Sequence, residues 1–159
     1  MLIKWIKQAS HIRIYEKLIM TLSTRAELFA KSIHANQVDK AGKPYSEHLQ
    51  SVVNNLVEPS EEMVAVAWLH DSVEDTESTF DDLTHYFGNT VSEAVCAITK
   101  VDNEPYDKYL ARVKSNPIAR LVKIADLTHN MDLSRLPVVT ERDLARKEKY
   151  LKAKEFLEN

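Results

Sequence analysis

Ser60-Glu61-Glu62-Met63-Val64-Ala65-Val66-Ala67-Trp68-Leu69-His70-Asp71-Ser72-Val73-Glu74-Asp75 opens with a hydroxyl and two carboxylates and closes on four ionisable groups within six positions. A Ser cap accepts from the free amides of a helix start, and the early carboxylates complement its positive end, so a helix is expected over about 60–74. Met63, Val64, Val66, Ala67, Trp68 and Leu69 leave that helix no polar face. A helix apolar on every side is a central one, wrapped by others.

The flanking sequence supplies the wrapping. Ile14, Leu18 and Leu22, then Leu28, Phe29 and Ile33, recur at helical spacing through 11–36, and Ser46 to Leu56 reads as another helix after the breaker-rich loop Asp39 to Pro44. Thr79-x-x-Asp82 and Thr90-x-x-Glu93 each resemble a capping box, which places helices at about 80–87 and 90–99 with Gly88 closing the first. Pro105 and Pro117 suit first turns of two further helices, the second running to about Ser134. Glu141 to Leu157 is a charged amphipathic helix offering Leu144, Tyr150, Leu151 and Phe156 for packing. With only 2 Gly and 5 Pro in 159 residues, turn formers are too few for a sandwich or barrel. The expected fold is all-α, one compact single-domain bundle of about seven to nine helices, with no repeat or linker dividing it.

Composition excludes several functions. The 24 acidic and 21 basic side chains leave a net charge of −3 without a Lys/Arg run, which argues against a nucleic-acid partner. No apolar run reaches the ~18 residues of a membrane span. Lys4 and Lys7 interrupt what would have to be the apolar stretch of a signal peptide. The single Cys96 allows neither an internal disulfide nor a thiolate cluster; it reads as a small core residue in a reducing, cytoplasmic setting. Leu2, Ile3, Trp5, Ile6 and Ala9 form a short amphipathic face, expected to pack on the domain or a second subunit rather than on a membrane.

The chemistry concentrates in three places. On a continuous helix Asp71 lies beside Glu74 and Asp75 at i+3 and i+4, so three carboxylates repel one another at an apolar helix end. A divalent cation relieves that repulsion, and a mixed His/carboxylate donor set suits Mn²⁺, Fe²⁺, Co²⁺ or Zn²⁺. A solvated helix end is the competing reading. In Lys123-Ile124-Ala125-Asp126-Leu127-Thr128-His129-Asn130, Asp126 and Asn130 share a face and interrupt a core-like helix; the plainer alternative is a surface stripe in which Asp126 pairs with Lys123. His48 stands just inside a helix start.

Together these residues resemble the HD-domain metal-dependent phosphohydrolases, in the branch formed by the hydrolase domain of RelA/SpoT proteins and the small alarmone hydrolases. The matching segments are Ile33-His34-Ala35-Asn36-Gln37, Gly42 to His48, Leu69 to Thr76, Phe87-Gly88, Ile98-Thr99-Lys100 and Ala125 to Met131, which span roughly Ala30 to Leu136. The resemblance implies an HD domain over 23–159 preceded by a helical extension over 1–22. It implies a divalent-metal cofactor, Mn²⁺ foremost, held by His48, His70, Asp71 and Asp126. Glu74 and Asp75 would then do acid/base work, their mutual repulsion separating donor from acceptor, and Lys40, Lys43, Tyr45 and Asn130 would contact substrate. His34 is expected to have a structural or supporting role.

The implied activity is hydrolysis of a phosphate or pyrophosphate group on a nucleotide, with guanosine tetraphosphate and its 3′-pyrophosphate leading and no room within these residues for a synthetase domain. Where such hydrolases typically carry Arg, this chain has Asp39, Leu127 and Asp132. A different phosphorylated nucleotide or small molecule is therefore the alternative substrate, and a non-catalytic nucleotide-binding module the alternative class. The expected partner is a phosphorylated nucleotide, with a homo-oligomer also compatible.

Overall fold

A computed structural model describes residues 20–159; the expected extension over 1–22, apart from its last three residues, and the amphipathic face at Leu2 to Ala9 lie outside them. Among the described residues the chain forms α1 (Leu22–Ile33), α2 (Tyr45–Asn54), α3 (Glu61–Leu69), α4 (Ser72–Asp75), α5 (Phe80–Phe87), α6 (Asn89–Ile98), α7 (Tyr106–Ser115), α8 (Pro117–Met131), a 3₁₀ turn at Leu133–Arg135, and α9 (Glu141–Glu158). There is no strand in this part, only an isolated antiparallel bridge between Val38 and Pro44 that closes the loop before α2.

Helix α3 is the axis. Its Ala65, Val66, Ala67, Trp68 and Leu69 are all buried, and α1, α2, α6 and α8 pack around it. Ser60 caps it by accepting from Met63 N–H. The helix expected to continue to about residue 74 instead stops at Leu69. The Ser72 hydroxyl donates to Leu69 C=O at 2.6 Å, which satisfies a terminal carbonyl and lets the chain turn. Asp71 takes φ −103°, ψ 2° and α4 starts afresh at Ser72. Asp71, Glu74 and Asp75 are thus not a stripe on one helix.

Other boundaries shift for local reasons. Thr79 and Asp82 form the expected capping box of α5. The one expected at Thr90 and Glu93 is absent, because Gly88, at φ 87°, both ends α5 and begins α6 one residue upstream of Thr90. Helix α8 ends at Met131 rather than Ser134, since the Asp132 carboxylate accepts from Ser134 N–H and starts the 3₁₀ turn. Cys96 is exposed, not in the core: Val91, Ala94, Val95 and Ile98 make the buried stripe of α6, and Cys96 falls off it. Helix α9 docks through Ala153 and Leu157, with Tyr150 half-buried, while Leu144, Leu151 and Phe156 remain exposed.

Candidate metal centre

Three chain segments converge at the lower end of α3. Pro44 starts α2 so that His48 sits in its first turn and points inward; the break after Leu69 delivers His70 and Asp71; and Asp126 projects from the middle of α8. His48, His70 and Asp126 are all buried, and one donor atom of each lies within 4.8 Å of the other two. His48 Nε2 is 3.4 Å from Asp126 Oδ1 and 3.7 Å from Asp71 Oδ2. His70 Nε2 is 3.0 Å from Asp71 Oδ2 and 3.8 Å from Asp126 Oδ1. The structure therefore brings His48, His70, Asp71 and Asp126 to one place.

Their neighbours fix orientation. His70 Nδ1 donates to Ala67 C=O at 2.8 Å, so Nε2 is the nitrogen aimed at the carboxylates. His48 Nδ1 meets His129 Nδ1 at 2.8 Å, which likewise leaves His48 Nε2 facing inward. Tyr45 O–H donates to Asp71 Oδ2 at 2.5 Å. Asp126 accepts from Asn130 Nδ2 at 2.5 Å and from the Lys123 ammonium at 2.7 Å. Lys123 and Asp126 thus do pair, as in the plainer sequence reading, but buried beside the histidines rather than on a surface stripe.

Charge accounts for the ionisation of the cluster. Burial works against ionising Asp126, yet the Lys123 charge, followed by contacts with His70, holds its carboxyl below the usual carboxylate range. Burial likewise works against Asp71, and the His70 charge with contacts from His48, His70 and Tyr45 outweighs it. Burial lowers His70, but the Asp71 charge and contacts with Asp126 raise it to about 10. His129 is pushed down to about 4 by burial and by His48 and Arg135.

The donor set fits a divalent ion. His70 Nε2 is fully buried with no hydrogen-bond partner, because Asp71 Oδ2, although 3.0 Å away, lies off the ring's N–H direction. Two carboxylates and two imidazole nitrogens face one another there, and the donors on the carboxylates leave His70 Nε2 itself without a partner. Two nitrogens and two oxygens are the mixed set that intermediate divalent cations accept.

The remaining predicted residues divide. Glu74 and Asp75 point to different neighbours: Glu74 to the Lys100 ammonium at 2.8 Å, Asp75 to Gln37 Nε2 at 2.7 Å. Gln37 Oε1 in turn meets His34 Nδ1 at 2.6 Å, and the buried His34 ring packs on Tyr45 with centroids 5.1 Å apart. Tyr45 and Asn130 touch the cluster through Asp71 and Asp126. Lys43 is on the outside, near Glu47 at 3.9 Å. The Lys40 ammonium is lowered by partial burial and by the Arg146 and Arg135 charges, which are themselves paired with Asp143 and Asp39.

Sequence reasoning assigned no site role to Gln37, His129 or Arg135. Asp39, read as a lost cation, has a structural task. Its Oδ1 accepts from the N–H groups of Ala41 and Lys43, and its Oδ2 from Arg135 at 2.8 Å, tying the loop before α2 to the 3₁₀ turn. The periodicity of α8 places His129 near Asn130, but only the packing of α8 on α2 shows that it meets His48.

A family model described as "HD domain" matches residues 26–116, which include His48, His70 and Asp71 and stop short of Asp126. Over 94% of its length the chain is 32% identical to a probable GTP pyrophosphokinase of Mycobacterium leprae, covering 20% of that protein. It is 33% identical, over 67% of its length and 17% of the relative's, to a guanosine-3′,5′-bis(diphosphate) 3′-pyrophosphohydrolase of Aquifex aeolicus. The bifunctional (p)ppGpp synthase/hydrolase SpoT of Escherichia coli is 32% identical over the same share of each. The chain thus spans a fifth or less of the length of these curated relatives. A solved structure, described as a metazoan ortholog of SpoT that hydrolyzes ppGpp, superposes with a TM-score of 0.72 at 24% identity, covering 87% of this chain and 85% of that one, and shares the fold.

Proposed function

The chain belongs to the HD-domain family, and on that premise we propose that it is a metal-dependent phosphohydrolase acting on a phosphorylated nucleotide, with release of the 3′-pyrophosphate of guanosine tetraphosphate as its leading activity. The observation that carries this reading is the meeting of buried His48, His70 and Asp126 with the partly exposed Asp71 around an unpartnered His70 Nε2. Relatives named as guanosine-3′,5′-bis(diphosphate) 3′-pyrophosphohydrolases support the substrate.

His48, His70, Asp71 and Asp126 are the proposed ligands of one divalent ion, Mn²⁺ foremost. Such an ion, when bound, lowers the pKa of water and polarises phosphorus. The protein's own residues do the rest. The His70–Ala67 and His48–His129 contacts hold both imidazoles with Nε2 inward. Glu74 and Asp75 are the proposed acid/base pair, each held in place by its own partner, Lys100 or Gln37. Lys40 and Lys43 are the proposed cations for the phosphate groups. Asn130, bonded to both Asp126 and Arg135, joins the metal cluster to the 3₁₀ turn.

The described residues contain no helix long and apolar enough to cross a membrane. A cytoplasmic location, consistent with a nucleotide substrate, is part of the proposal, as is the absence of a nucleic-acid partner. The alternative, a different phosphorylated nucleotide, is supported by Asp39, Leu127 and Asp132 standing where such hydrolases typically carry Arg.

The test is phosphate and pyrophosphate release by Mn²⁺-loaded protein from guanosine tetraphosphate, other nucleotides and simple phosphomonoesters. Pyrophosphate release from the alarmone is expected, abolished in His70→Ala and lowered about 100-fold or more in Glu74→Gln or Asp75→Asn, as for loss of a positioned acid or base. Turnover of another compound alone would reassign the substrate. Silence across the panel with metal bound would mark a binding module.

A further inference from the structure

We infer that His129 is a positioning residue for the metal centre: its Nδ1 is the acceptor that holds His48 in the tautomer with Nε2 free to bind the ion. The inference rests on the metal reading above. It starts from the 2.8 Å contact between His48 Nδ1 and His129 Nδ1, with ring centroids 4.9 Å apart.

Two imidazole nitrogens at that separation bond only when one carries a proton and the other a lone pair. His48 has its other nitrogen inward, 3.4 Å from Asp126 Oδ1 and 3.7 Å from Asp71 Oδ2. For that nitrogen to bind a cation it must be unprotonated, so the single proton of a neutral His48 must sit on Nδ1. There the partner among the described residues is His129 Nδ1, which therefore accepts and carries its own proton on Nε2. The companion ligand His70 is fixed in the same sense by a backbone carbonyl, Ala67 C=O.

The two ligands thus differ in what orients them. The carbonyl that orients His70 cannot be mutated away, whereas the orienter of His48 is a side chain one turn along α8 from Asp126. One helix accordingly supplies a ligand, Asp126, and the group that aims a ligand on another helix. Partners of this kind typically change metal affinity about 10–100-fold when removed.

The test compares the wild-type chain with His129→Leu, His129→Asn and His129→Gln. Asn places its amide oxygen near the position of Nδ1 and keeps the acceptor; Leu has none, and Gln carries its oxygen further out, near Nε2. Each protein is stripped with chelator and titrated with Mn²⁺, free ion being followed by its electron paramagnetic resonance signal, and metal-free melting confirms folding. His129→Leu is expected to weaken Mn²⁺ binding about 10–100-fold, with His129→Asn within about threefold of wild type. His129→Gln repeats the Leu comparison in a polar residue and replaces it if Leu prevents folding. In Zn²⁺-loaded wild type, imidazole ¹⁵N shifts are expected to show His129 protonated at Nε2 with Nδ1 bare, and the His48 Nδ1 proton is expected to resonate downfield and move upfield in His129→Leu; His129 protonated at Nδ1 would overturn the inference.

Wild-type affinity in both His129→Leu and His129→Gln would overturn the inference, as would equal weakening in His129→Asn and His129→Leu. Wild type that takes up no Mn²⁺ would instead remove the metal reading, and this inference with it.

Discussion

Replacing Lys123 with methionine keeps the aliphatic stem against the Tyr109 ring, over which the ammonium lies at 5.8 Å, and deletes only the charge. Asp126, whose side chain is 6% exposed, then remains a buried carboxylate without its cation. At the observed 2.7 Å, the pair's Coulomb attraction is about 6 kcal/mol for an effective dielectric near 20. Part of this is returned, because the variant no longer has to desolvate an ammonium. Stripping one partner from a buried pair costs about 3–5 kcal/mol, and Asn130 and the histidines stay on the carboxylate, so the lower end, about 3 kcal/mol, is expected. For a chain of this size that loss lowers the midpoint by about 6–12 °C. Urea unfolding in chelator measures it, with an unchanged slope showing that the unfolded state is not what moved. Adding Asp126→Asn removes the stranded charge, and the cycle is expected to give a coupling of about 2–3 kcal/mol. A single variant within about 1 kcal/mol of wild type would refute the reasoning and place Asp126 in a wetter environment than its burial indicates.

Metal-free stability is expected to peak near pH 6.5. His70, raised to about 10 when folded, contributes stability that is full below its unfolded value and lost as pH rises towards 10; His129, lowered to about 4, contributes stability present above its unfolded value and lost as pH falls towards 4. Chelator-treated protein whose stability climbs steadily to pH 9.5 in urea titrations would contradict this. Arg135→Ala breaks the pair with Asp39, side chains 13% and 9% exposed, and is expected to cost about 2–4 kcal/mol and to speed proteolytic cleavage in the 37–44 loop; unchanged cleavage would show that the pair does not hold that loop. Gln37→Met removes the amide that steadies Asp75 and is expected to lower kcat about tenfold with KM nearly constant, so a change confined to KM would assign Gln37 to substrate binding.

Much of the molecule was legible along the chain. The uniform apolarity of Met63 to Leu69 demanded a buried central helix, and that is α3. Thr79 with Asp82, Pro105 and Pro117 marked helix starts, because caps depend on residues within one turn. Failures were equally local in appearance but not in cause. Thr90 and Glu93 had capping-box spacing, yet the tight join at Gly88 placed the helix start before them. Cys96 looked like core by composition, while the direction α6 presents to α3 left it outside.

For the site, residue type and spacing drew attention to the His70-Asp71 helix end and to Asp126, since charged groups interrupting apolar helices require some compensation, whereas joining His48 to them as one ligand set came from the resemblance to the HD-domain phosphohydrolases. What compensates them depends on side chains far apart in sequence. Asp39 reads as a repulsive charge near a phosphate site until Arg135, 96 residues away, is seen bonded to it. His48 reads as a lone helix-start histidine until α8 brings His129 against it, 81 residues on. The sequence by itself determined the helices and the chemistry carried on them, because periodicity and capping act within a turn or two. Only the tertiary structure decided which carboxylate faces a cation and which nitrogen faces the cluster, because Coulomb and hydrogen-bond energies depend on distance in space and on burial.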